Sequence, residues 1–154
     1  MAVKSRYLAM LVLLLGVVAF IMGLIFIAQG TVKNNLLTEA MQVEQVTYLL
    51  PEEEVAKGNV IDTSEEAEKV ADTVREHRRN IAPTYEALLD EGRFDPTNPE
   101  HLSYAQALNM ENYLYLAVLG FGLTTVVITS GAFMTITGIA LGITGVMLLK
   151  VARE

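Results

Sequence analysis

The stretch SGAFMTITGIALGITGVMLL, Ser130 to Leu149, carries no charge and places glycines at 131, 138, 142 and 145. How it is read decides the fold. It is the second half of a 38-residue uncharged run from Asn112 to Leu149, and as one helix that run is about 57 Å long. A hydrocarbon core is roughly 30 Å thick. Two readings absorb the excess. Either the run is two short spans turning near Ser130-Gly131, or it is one long helix whose outer half leaves the bilayer and is buried by protein.

The glycines favour the single helix. Ala117, Gly120, Thr124, Val127, Gly131, Thr135, Gly138, Gly142, Gly145 and Leu149 follow one another mostly at steps of three and four, so they lie in one narrow seam of mostly small side chains. A matching device recurs near the N-terminus, where Ala9, Gly16, Gly23 and Gly30 are seven residues apart. Helices in lipid gain little hydrophobic energy by touching, and small residues let their backbones approach closely instead. The expected helix-packing interface is therefore Gly16, Gly23, Gly30, Gly120, Thr124, Gly131, Thr135, Gly138, Gly142 and Gly145. An antiparallel pair would set Leu8–Ala28 beside Ile128–Leu149.

Leu8–Ala28 is itself a stretch of 21 uncharged residues, long enough to cross a membrane. A cleaved signal peptide is the rival reading, because Ala28-Gln29-Gly30 loosely resembles a small-x-small cleavage site. The retained span is the expectation adopted. Lys4 and Arg6 precede the first span, and Lys150 and Arg153 follow the last. Residues 30–112 between them hold 7 basic and 17 acidic side chains. The positive-inside bias then puts both termini in the cytoplasm of a multi-pass cell-membrane protein, which requires an even number of crossings.

Beyond Ala28 the apolar period continues through Val32, Leu36, Ala40, Val43, Thr47 and Leu50 until Pro51, predicting a helix from Tyr7 to Leu50. Residues 51–62 read as an acidic connecting loop. A further helix begins after Asp62 or Thr63 as cap, with Glu65, Glu66 and Glu68 early and Arg75, Arg78 and Arg79 late, complementing the helix dipole. Its buried stripe is predicted as Ala67, Val70, Ala71, Val74 and Ile81. After Pro83 comes a short helix with Gly92 as its C-terminal cap, and Asn98-Pro99 opens the last helix.

The expected fold is an all-α membrane protein: two long antiparallel transmembrane helices extending into an extracytoplasmic helical bundle, with three spans turning near Ser130-Gly131 as the alternative. Its divisions are an N-terminal transmembrane helix (1–30), an extracytoplasmic helical domain (31–112) and a C-terminal helix with the second span (113–154). The layout resembles the sensing modules of bacterial chemoreceptors. Only residues 150–154 follow the last span, however, so a sensor of this kind would pass its state to a separate partner.

Composition limits the chemistry. The chain is 154 residues long, 52% hydrophobic, with a formal charge of −7 and no cysteine. An acidic surface repels phosphate backbones, so no nucleic-acid partner is expected. Thiolate catalysis and cysteine-ligated metals are excluded. His77 and His101 lack helical metal-ligand spacing, Glu52–Glu54 lack the pattern of a calcium loop, and no catalytic serine motif is present. No ionisable group is expected inside the bilayer, which argues against a proton relay. Thr124, Thr125, Thr129, Ser130, Thr135, Thr137 and Thr144 are expected to bond to carbonyls one turn earlier or to a neighbouring helix.

The functional expectation is a non-enzymatic integral membrane protein without catalytic, cofactor or metal residues. It would self-associate, or serve as a small structural or accessory subunit of a membrane complex, through small-residue helix packing. Its partners would be the lipid bilayer and either further copies or other membrane subunits. The alternatives are an extracytoplasmic ligand-binding or sensing module and an oligomeric pore lined by threonine hydroxyls.

Overall fold

A computed structural model of the chain describes residues 2–43 and 60–152. They form four helices: α1 (Ala2–Val43), α2 (Ser64–Ile81), α3 (Tyr85–Leu89) and α4 (Pro99–Val151). No strand occurs among the described residues. Two of the helices, α1 and α4, are long and apolar enough to cross a membrane. The 53 residues of α4 run without a break, about 80 Å of helix. This overturns the alternative of three spans: Ser130-Gly131 is helical interior, because the backbone there continues the hydrogen-bonded ladder and Gly131 meets α1. The end assigned to α1 at Leu50, and the loop over 51–59, lie outside the described residues.

By its contacts the chain divides into two compact units, Met1–Lys33 with Leu123–Glu154, and Asn34–Gly122. In the first, the buried positions of α1 are Ala9, Gly16, Gly23 and Gly30, and those of α4 are Thr124, Gly131, Gly138 and Gly145. Every interval is seven. A strict seven-residue repeat keeps facing its neighbour only when two helices wind left-handedly about each other, so the repeat sets the sense of the pairing. Of the ten-residue seam read along α4, the alternate members Gly120, Val127, Thr135, Gly142 and Leu149 are only half-buried. They flank the line of contact. The large side chains, among them Leu14, Ile21, Phe133 and Ile136, face outward.

The second unit has a conventional apolar core. Ala67, Val70, Ala71 and Val74 of α2 pack with Met41 of α1, Ile61, and Leu114, Ala117 and Phe121 of α4. Thr63 caps α2, its hydroxyl accepting from the Glu66 amide at 3.2 Å, while the Glu66 carboxylate accepts from the Asp62 amide at 3.0 Å. The stripe expected on α2 is present except at Ile81, which is exposed. There the helix ends: Ala82 turns to extended backbone and is buried instead, and Arg78 takes the inward position one turn earlier. The cap of α3 also differs from expectation. Asp90 (φ 43°) and Glu91 (φ 63°) occupy the left-handed region, and Gly92 closes the turn by donating to the Leu89 carbonyl at 2.7 Å. The last helix opens as read, with the Asn98 side chain accepting from the Glu100 amide at 2.9 Å.

Candidate functional site

The glycine seam is a contact between the chain's own two long helices. A methyl group built on Gly16 would stand 2.6 Å from the Gly142 backbone nitrogen, and one on Gly138 would stand 2.5 Å from the Phe20 nitrogen. On Gly23 it would lie 2.6 Å from the Gly131 carbonyl oxygen and against the Thr135 hydroxyl, and on Gly145 2.8 Å from the Leu13 backbone. Real side chains do not come so close, so only hydrogen fits at these positions. As the numbers rise along α1 they fall along α4, so the chain directions are opposed.

The seam residues are not equivalent. On Gly30 the nearest atom would be Ile128 Cγ1 at 2.6 Å, with the Ile128 nitrogen and the Thr124 carbonyl oxygen each at 3.3 Å; on Gly120 it would be the Leu37 methyl at 2.8 Å, within the second unit. Only the Leu37 neighbour is a flexible side-chain end that can yield; at Gly30 the neighbour is the stem of a β-branched side chain backed by helix backbone. A methyl on Gly142 would meet nothing within 4 Å. That glycine presents its backbone to Gly16 but turns its own side-chain direction into open space. Thr135 is half-buried and spends its hydroxyl on the Gly131 carbonyl at 2.8 Å, as Thr129 and Thr144 spend theirs on Thr125 and Ala140.

In the second unit a largely buried charge cluster lies between α2 and α4. Glu111, the last charge before the uncharged run, is 7% exposed and receives Arg78 Nε at 2.7 Å and Arg75 Nε at 3.1 Å. Arg78 also donates to the hydroxyl of buried Tyr104 and stacks over its ring, 5.0 Å from the centroid. Arg75 lies 4.8 Å from the Tyr115 ring centroid and pairs with Asp72 at 3.0 Å, and the Tyr115 hydroxyl donates to that same carboxylate at 2.9 Å. Burial pushes the Glu111 carboxyl up, but the hydrogen bonds from Arg78 and Arg75 more than offset it and hold it below the usual carboxylate range. The hydrogen bond to Glu111 in turn raises Arg78. Every side chain of the set has a charged or hydrogen-bonding partner, so the cluster is built to clamp two helices.

Sequence reading assigned Arg75 and Arg78 to the helix dipole and did not single out Glu111. The available signal was spacing: Arg75 and Arg78 are three residues apart and so share a face with Val74 and Ala71 of the buried stripe. Tyr113 and Tyr115, two residues apart on α4, take different places. Tyr115 joins the clamp, while Tyr113 lines an open groove with Leu36, Glu39, Ala40 and Val43.

A second open groove is lined by Tyr85, Phe94, Ala105, Leu108, Asn109 and Asn112. His101 stacks on Phe94 and accepts from the Asp95 amide at 3.0 Å, a local role. Among the described residues no three His, Asp or Glu side chains gather as a metal site. Compared with protein-family models, curated proteins and solved structures, the chain matches none.

Proposed function

We propose that this chain is a non-enzymatic integral membrane protein with two crossings and cytoplasmic termini, serving as a structural or accessory subunit of a membrane assembly. The observation that carries the reading is how the unit formed by Met1–Lys33 and Leu123–Glu154 distributes its side chains. Gly16, Gly23, Gly30, Gly131, Gly138 and Gly145 are buried between its own two helices, while Leu11, Leu14, Ile21, Ile25, Phe133 and Ile143 are half or more exposed. In water such faces would aggregate; in a bilayer they meet acyl chains or other membrane helices at no cost. The seam therefore makes a hairpin of the chain, and association with partners falls to the large-residue faces. Basic residues at both ends and the net charge of −10 over residues 30–112 orient it.

Attaching a cytoplasm-only reporter at Met1 and, separately, at Glu154 tests the topology. Signal from both is expected, and silence at Glu154 overturns two crossings. Native purification in mild detergent with identification of what accompanies the chain tests the subunit role; an isolated monomer in every detergent and in bilayer discs overturns it.

The groove between Tyr85, Phe94, Asn109 and Asn112 favours a second reading, ligand sensing by the outer unit, since two carboxamides there adjoin two aromatic rings. Its open form gives a ligand little enclosure, which is why this reading stands second.

A further inference from the structure

The connector between α3 and α4, residues 90–98, folds on itself around Asp95. The Asp95 carboxylate accepts from the Thr97 amide at 2.8 Å and from the Thr97 hydroxyl at 2.7 Å, both on Oδ1, and the Asn98 amide donates to the Asp95 carbonyl at 3.2 Å. A further bond ties the connector to the first turn of α4: the Asp95 amide donates to His101 Nδ1 at 3.0 Å. The Phe94 ring stacks on the same imidazole, with centroids 5.6 Å apart and planes at 28°. Phe94 in turn lines the groove shared with Tyr85, Asn109 and Asn112. A ring nitrogen accepts a hydrogen bond only while it carries no proton. We infer that the connector is a pH-operated latch: neutral His101 holds residues 94–95 against α4, and a proton on its imidazole releases them and moves the Phe94 wall of the groove.

Protonation reverses the contact. An imidazolium Nδ1–H and the Asp95 N–H are both donors and do not pair. The new charge also sits in the amino-terminal turn of α4, where the helix dipole disfavours it. What draws it is the Asp95 carboxylate, whose second oxygen the Thr97 bonds leave for it. Those bonds, with the imidazolium charge, hold the Asp95 carboxyl below the usual carboxylate range, so it is already ionised when a histidine titrates. The other ionisable side chains about the ring are Glu100 beside it, Tyr104 one turn along α4, engaged by Arg78, and Tyr85 of α3, packed on Tyr104 at 6.2 Å between centroids. The ring therefore turns from the amide of residue 95 towards its carboxylate, and Phe94 loses the surface on which it stacks. That this unit meets a variable pH rests on the extracytoplasmic reading above; the latch itself does not.

The test is nuclear magnetic resonance of the full chain in bilayer discs from about pH 8 to about pH 5, the interval that brackets an ordinary imidazole. With two histidines in the chain, each ring is assigned by its own substitution. At the upper pH the His101 ring should carry its proton on Nε2, and the Asp95 amide should be protected from exchange. As His101 takes up a proton, protection of that amide should fall by about fivefold or more, the equilibrium worth of one hydrogen bond, and the Phe94 ring signals should move with the same midpoint. The Gly92 amide, bonded to the Leu89 carbonyl, should keep its protection. His101→Gln, which offers an acceptor that does not titrate, should remove the pH dependence, and His101→Ala should leave the Asp95 amide unprotected throughout. Should either variant fail to fold, the parent titration decides alone. An Asp95 amide indifferent to the His101 titration overturns the latch, as does a proton found on Nδ1 at the upper pH. Either result leaves the reporter readout of topology intact, so failure of the latch is distinguishable from failure of the membrane reading.

Discussion

Gly16 and Gly138 face each other reciprocally: a side chain on Gly16 would begin 2.9 Å from the Gly138 carbonyl oxygen, and one on Gly138 would begin 2.7 Å from the Gly16 carbonyl oxygen. Gly23 and Gly131 repeat the relationship at 2.6 and 2.7 Å. Each glycine thus turns a Cα hydrogen toward the opposite backbone, a contact that recurs between closely packed helices. Glycine costs about 1 kcal/mol relative to alanine in a helix interior, and the closeness of the backbones offsets that cost.

Gly138→Ala and Gly142→Ala should therefore have opposite effects, although the two glycines lie one turn apart. The first forces a methyl into backbone and should destabilise the hairpin by about 1–3 kcal/mol, as overpacking does. The second enters open space and should be neutral, or stabilising by up to about 1 kcal/mol through helix propensity. Thermal unfolding of the two variants in the same detergent checks this, and equal losses would contradict the seam geometry.

Removing Glu111 leaves two arginines facing each other between α2 and α4. Glu111→Ala should cost about 3–5 kcal/mol, the range for breaking a buried ion pair by deleting one partner. Tyr115→Phe, which keeps the ring under Arg75 and loses only an exposed hydrogen bond, should cost under about 1 kcal/mol. Hydrogen exchange of α2 amides in each variant distinguishes the two.

The depressed Glu111 carboxyl also sets an acid limit. A carboxylate whose folded value lies below its unfolded value of about 4.3 binds fewer protons when folded, so its contribution is complete above that pH and is lost as pH falls through the folded value. Asp62, pushed up by burial and by the neighbouring Glu66, has the opposite sign and favours the folded state on the acid side. Unfolding midpoints measured from pH 6 to pH 2 should fall steeply below about pH 4 in the parent chain and less steeply in Glu111→Gln.

Glu91 occupies the left-handed region at φ 63° without being glycine. Glu91→Gly should stabilise the turn after α3 by roughly 1 kcal/mol, the strain released when the Cβ is removed. Thr63→Ala, which deletes the α2 cap, should cost about 1 kcal/mol. Chemical unfolding of the two variants reads both, with shifts expected in opposite directions.

The sequence by itself determined the helices and their ends wherever the signal is local: the Asn98-Pro99 start of α4, the Thr63 cap, the Ala67–Val74 stripe, and the small residues seven apart on α1. Those features depend on a residue and its neighbours within two turns. Tertiary structure alone decided which half of the seam touches. Steps of three and four describe a band, but only the approach of α1 selects the seven-residue line within it and leaves Gly142 open. It also decided that Arg78 and not Ile81 turns inward, because a helix surface does not reveal where its partner's carboxylate stands, and Glu111 lies 33 residues further along the chain. Charge placement of this kind is settled by the desolvation each group must offset once two helices meet, which sequence spacing does not record.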